Sequence, residues 1–94
     1  MDKQNFIIIN SKDNCATALE DIDQHSTVDL SERILTLNHD IPFGHKFALK
    51  DIKKGSNIIK YGEIIGFATE DIKIGDWMHI HNIASNILKV KNVE

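Results

Sequence analysis

Apolar residues in this chain fall in short runs separated by clusters of Asp, Lys and Gly, a spacing that suits strands and leaves little room for helices of three turns. Three of the clusters share one pattern: Ala18-Leu19-Glu20-Asp21-Ile22, Ala48-Leu49-Lys50-Asp51-Ile52 and Ala68-Thr69-Glu70-Asp71-Ile72. Three residues after the isoleucine the second and third copies have Gly55 and Gly75, while the first has His25. Those glycines predict a positive φ where an Asp-led turn reverses into the next strand. His25 would be strained there unless the first turn has a different shape. Runs at residues 27–30, 57–61 and 77–81 follow the turns, and others ending at the alanines precede them. With Ile34, Leu35 and Leu37 as a further strand, the chain is predicted to be nearly all β.

Around Tyr61-Gly62, Ile58 to Lys60 and Glu63 to Gly66 form the arms of a predicted hairpin. Asp40-Ile41-Pro42-Phe43-Gly44 is expected to be a loop, because proline and glycine both oppose regular pairing. Residues 83–94 lack a turn glycine and alternate weakly, as a last edge strand or a docking tail would.

With 94 residues, 41% hydrophobic and 27% charged, the composition is that of a globular chain, and one domain over 1–94 is expected. A chain this short folds on a thin margin and gains from docking onto a partner. A net charge of −3, with Lys and Arg scattered among acids, argues against nucleic acid. Cys15 is the only cysteine, so neither an internal disulfide nor a thiolate-rich metal site can form, and a reducing cytoplasm fits. Neither a signal-peptide core nor a membrane-spanning run is evident, so no membrane association is expected.

Three ordered segments are more specific: Ile41-Pro42-Phe43-Gly44-His45-Lys46-Phe47-Ala48, Lys60-Tyr61-Gly62-Glu63-Ile64-Ile65-Gly66 and His79-Ile80-His81-Asn82. Together, from about Asn14 to Asn82, they resemble the N-terminal (SAF-type) domain of the altronate and galactarate dehydratase family, also found as a separate small subunit. The resemblance implies a small β-clip fold. It also implies elimination of water from a sugar acid to give a 2-keto-3-deoxy acid, assisted by a divalent metal, iron or manganese. A much larger subunit would carry most of the catalytic groups, and this chain would be inactive alone. A sulfolactate sulfo-lyase is built similarly. Met78 where a valine is expected, Asn14-Cys15 and His25 are departures from the pattern.

Proton abstraction beside a carboxylate builds an enediolate, which needs a cation or strong donors on its oxygens. His45, after the Pro-Phe-Gly segment, is the candidate acid, base or metal ligand, and Lys46 the point charge for a substrate carboxylate. On a strand, His79 and His81 share a face with Trp77 and can share a metal ion, His81 serving alternatively in catalysis, while Met78 and Ile80 face the core. Asn82 and Tyr61 are candidates for hydrogen-bonding substrate. Asp21, Asp51 and Asp71 recur because the turn needs them and are expected to accept backbone N–H bonds. Cys15 is expected to be a small buried hydrophobe.

A different functional class stays open: a non-catalytic β-clip module that docks on a partner and stabilises it. Such a module has no need of histidines on neighbouring segments. A stand-alone metal binder would instead hold stoichiometric transition metal in the isolated chain. A homo-oligomer is compatible with all three.

Overall fold

The structure, a computed structural model, describes residues 5–85. Among them are nine short strands and no helix: β1 Phe6–Ile7, β2 Cys15–Ala18, β3 Thr27–Asp29, β4 Ile34–Thr36, β5 Lys46–Ala48, β6 Asn57–Lys60, β7 Glu63–Ala68, β8 Trp77–Met78 and β9 Ile83–Ser85. They form three antiparallel sheets, ordered β1-β2-β5-β8, β3-β4 and β6-β7-β9. The all-β expectation holds. β9 supplies an edge strand at the start of the 83–94 segment, and the rest of that segment lies outside the described residues.

The Asp-Ile turn occurs four times, not three. Asp40-Ile41-Pro42-Phe43-Gly44, expected as an irregular loop, has the same geometry as the copies led by Asp21, Asp51 and Asp71. The copies work in pairs. Ile22 and Ile41 exchange both backbone hydrogen bonds at 2.9 and 2.8 Å, as Ile52 and Ile72 do at 2.8 and 2.7 Å. Each aspartate then reaches across its pair. Asp21 Oδ1 accepts from Phe43 N and Asp40 Oδ1 from Gln24 N, while Asp51 Oδ1 accepts from Ile74 N and Asp71 Oδ1 from Lys54 N, all within 2.7–2.9 Å. The aspartates therefore accept backbone N–H bonds as expected, but from the partner turn. Pro42 fits because its missing N–H is not among those bonds.

After each turn one residue takes a positive φ: 72° at His25, 83° at Gly44, 89° at Gly55 and 87° at Gly75. His25 thus keeps the shape of the glycine copies, its N–H bonding Leu37 O at 2.8 Å as Gly75 N bonds Ala48 O at 2.9 Å. The left-handed conformation is strained for a side-chain-bearing residue, so the shared hydrogen bond prevails over the local preference.

Each pair of turns feeds its own core. Ile22 and Ile41 pack with Phe47, Leu35, Leu37 and Val28, whereas Ile52 and Ile72 pack with Ile58, Met78, Ala68 and Cys15. β5 lies between the cores, sending Phe47 into the first and Ala48 into the second by strand alternation. The thiol of Cys15 is buried, and desolvation pushes it up to about 11, so it behaves as the expected inert hydrophobe.

The Tyr61-Gly62 hairpin forms as expected, with φ of 62° and 74° at the two turn residues and Lys60 opposite Glu63. Its tip is held by the carboxylate of Asp13, which accepts from Tyr61 N at 3.2 Å and Gly62 N at 2.8 Å. Asn14 continues the clamp, accepting from Ile59 N and donating to Asn57 O. Of the residues that depart from the family pattern, Asn14 thus has a structural task, anchoring the hairpin.

Candidate functional site: an imidazole cluster on an indole

Two of the four turns deliver the site. The turn led by Asp40 releases the chain into His45 and β5, and the turn led by Asp71 releases it into β8. β5 and β8 pair with Lys46 opposite Met78 and Phe47 opposite Trp77. Continuing that register sets His45 against His79 on the face shared with Phe47 and Trp77.

The rings meet there. The imidazoles of His45 and His79 stack with centroids 4.3 Å apart and planes at 26°. Trp77 lies parallel to His79, 5.8 Å away at 8°, and His81 leans on the indole from 4.9 Å at 42°. The indole Nε1–H donates to Nδ1 of His45 at 3.1 Å. Partial desolvation first, then His45, Lys46 and His81, hold the pKa of His79 below its ordinary value.

The expected strand at residues 77–81 stops after Met78. Asn82 ends it: its Oδ1 accepts from His79 N and its Nδ2 donates to Trp77 O, both at 2.9 Å, closing a tight turn over residues 79–82. Ile80, expected in the core, consequently points outward with 84% of its surface exposed, while Met78 is buried. Asn82 itself is buried with its amide engaged, so it locks the turn instead of presenting a free amide. His79 and His81 keep their common side through the turn and the ring contacts with Trp77.

Lys46 alternates to the other face of β5 and lines a groove with Ile58, Ile65, Gly66, Ile80, Ile83 and Ser85, near enough to His79 for its charge to be felt there. Tyr61 is not brought to the cluster. It is exposed at the hairpin tip, where its ring meets Lys60 Nζ at 4.9 Å. Among the described residues no group of three or more His, Cys, Asp or Glu is placed to hold a metal ion, so His79 and His81 have no third such ligand there. Sequence reasoning left out Trp77, noting only the face it shares, although an indole two residues before an HxH pair was the available signal.

Residues 4–86 match the family model for the altronate/galactarate dehydratase SAF domain. The altronate dehydratase of Escherichia coli (strain K12) is 45% identical over 82 residues, covering 87% of this chain and 17% of the relative. That of Bacillus subtilis (strain 168) is 38% identical over 88 residues, covering 94% of this chain and 18% of the relative. The (2R)-sulfolactate sulfo-lyase subunit alpha of Paracoccus pantotrophus is 48% identical over 56 residues, covering 60% of this chain and 84% of the relative. The chain thus spans less than a fifth of the altronate dehydratases it matches, but aligns with most of a separate sulfo-lyase subunit.

Proposed function

The chain belongs to the altronate/galactarate dehydratase SAF domain family, and from that premise we propose that it is the small subunit of a two-component sugar-acid dehydratase, completing a site shared with a larger chain. The observation that carries this reading is the aromatic cluster. His45, His79 and His81, drawn from two distant segments, gather on Trp77, while all four turn aspartates are engaged with backbone. A pure docking surface would not need three imidazoles on one indole.

In this reading the larger chain removes the proton beside the substrate carboxylate. The small subunit lines the opposite wall with the imidazoles as polar groups near the substrate, while Lys46, on the other face of β5, contributes positive charge that reaches His79 and favours an anionic substrate. Asn82 shapes that wall without touching substrate. Tyr61 stands apart from the imidazole cluster, exposed at the hairpin tip against Lys60. Iron or manganese in the assembled enzyme would need ligands from the larger chain.

A second reading is favoured by one observation, the 84% coverage of a sulfo-lyase subunit alpha: the leaving group could be sulfite instead of water. One experiment addresses both. The tagged chain is recovered with its native partner, and chain, partner and complex are assayed on altronate, galactarate and sulfolactate. The expected result is no turnover by the chain alone and formation of a 2-keto-3-deoxy acid by the complex. Sulfite release would transfer the assignment to the second reading, and full turnover by the isolated chain would eliminate the shared site.

A further inference from the structure

The hydrogen bond from Trp77 Nε1–H to His45 Nδ1 carries chemical information beyond its 3.1 Å length. A ring nitrogen that accepts a hydrogen bond carries no proton of its own, so the neutral imidazole of His45 holds its hydrogen on Nε2. An indole nitrogen can only donate. The other tautomer of His45 would therefore set two N–H groups against each other.

We propose that Trp77 is a positioning residue that fixes His45 as the Nε2–H tautomer, so that His45 serves an acidic substrate as a hydrogen-bond donor to a carboxylate or hydroxyl oxygen, and not as a base or metal ligand. A base or a ligand needs a lone pair on the outward nitrogen. Here the lone pair is on Nδ1 and is already engaged, whereas among the described residues Nε2 has no hydrogen-bond partner. An imidazolium would have to break the indole bond, since both of its nitrogens donate.

The indole is itself held firmly enough to impose this choice. The backbone N of Trp77 donates to His39 Nδ1 at 3.2 Å, its carbonyl accepts from Asn82 Nδ2 at 2.9 Å, and its ring stacks parallel to His79. His45 is also confined by its stack on His79 at 4.3 Å, which leaves the ring little freedom to flip. A donor held in place in this way suits charge that develops on a substrate oxygen, because it needs no reorganisation when the charge appears. The role toward substrate rests on the shared-site reading above, but the tautomer does not.

The test uses the full chain labelled with 15N at mildly alkaline pH, where imidazoles are neutral. Long-range proton–nitrogen correlation spectra are expected to show His45 with an unprotonated Nδ1 and a protonated Nε2. Trp77→Phe keeps an aromatic ring but loses the N–H, and should return His45 to the mixed tautomers of a free imidazole. A wild-type spectrum with the proton on Nδ1 overturns the proposal even if the Phe variant fails to fold. In the complex with its partner, His45→Gln, whose amide N–H can stand in for Nε2–H, should retain at least tenfold more kcat than His45→Ala. Equal loss in the two variants overturns the donor role. The expected tautomer in a chain whose complex has no lyase activity would remove the proposed function and leave the assignment of Trp77 standing.

Discussion

The four Asp-led turns and the single turn over residues 79–82 solve the same problem, reversing the chain within a few residues, by opposite means. Each Asp turn is completed by its paired copy, which supplies the N–H for its carboxylate and the backbone partner for its isoleucine. The turn at 79–82 is completed from within, by the buried amide of Asn82 bridging His79 N and Trp77 O, and its rings face outward. A feature that repeats belongs to the frame. Acidic residues that recur through a sequence invite a catalytic reading, yet here all four turn aspartates are spent on the frame, and the candidate chemistry gathers where the turn without a copy meets His45.

If turns alike in sequence differ in surroundings, one substitution should separate them, and it has the largest expected effect. A Cβ at Gly75 would lie 2.3 Å from the carbonyl oxygen of Thr36, in addition to a φ of +87°, whereas Gly55 has the same φ region with open space around it. Gly75→Ala should lose about 3 kcal/mol or more, and Gly55→Ala about 1 kcal/mol, in urea unfolding. Equal losses would mean the turns are independent of their surroundings.

Next in size is the outward-facing side of the comparison. His45→Ala should leave the unfolding midpoint nearly unchanged while the assembled enzyme loses about 10²-fold in turnover, close to 2.7 kcal/mol. A large drop in midpoint would turn the cluster into part of the frame. Asn82→Ala should cost about 2 kcal/mol through two lost buried hydrogen bonds, and should also shift the proton resonances of the His45 and His79 rings as the stack loosens. Retained ring resonances would show that the turn holds its shape without the amide. In the opposite direction, His25→Gly should stabilise the chain by up to about 1 kcal/mol, because the φ of 72° strains a histidine and not a glycine.

The smallest effect is in pH dependence. The pKa of His79 lies below its ordinary 6.5, so the folded chain binds fewer protons there than the unfolded one. Stability should then fall as the pH drops through the ordinary imidazole value, with the loss complete once the pH is below the lowered value, where folded and unfolded chains are both protonated. His79→Gln should flatten that slope in a series of unfolding curves taken across the range.

The frame was legible where the repeat was complete. The Asp40 copy escaped notice because Leu37 stands in place of the alanine that marks the other three and because Pro42 suggested an interruption, although the missing N–H is not one the turn uses. The strand assigned to residues 77–81 failed for a local reason. Its alternation is compatible with pairing, but an asparagine at its end can capture two backbone groups and close the chain on itself, a competition that hydrophobic spacing does not register. The meeting of His45 with His79 depends on the register between β5 and β8, which no spacing along the chain encodes. Family resemblance pointed to both segments. It did not supply the indole between them.

The reciprocity of the turns also bears on how the chain reaches its fold. Each turn asks of its partner only an aspartate, an isoleucine and a free N–H, so all four are compatible partners for one another, and equally for turns of a second molecule. During refolding at high protein concentration, a turn from one chain can fill the place of its counterpart in a neighbour, giving exchanged dimers with native contacts throughout. The yield of monomer should then fall as the chain is concentrated during refolding, even under conditions where the folded monomer, once formed, is stable.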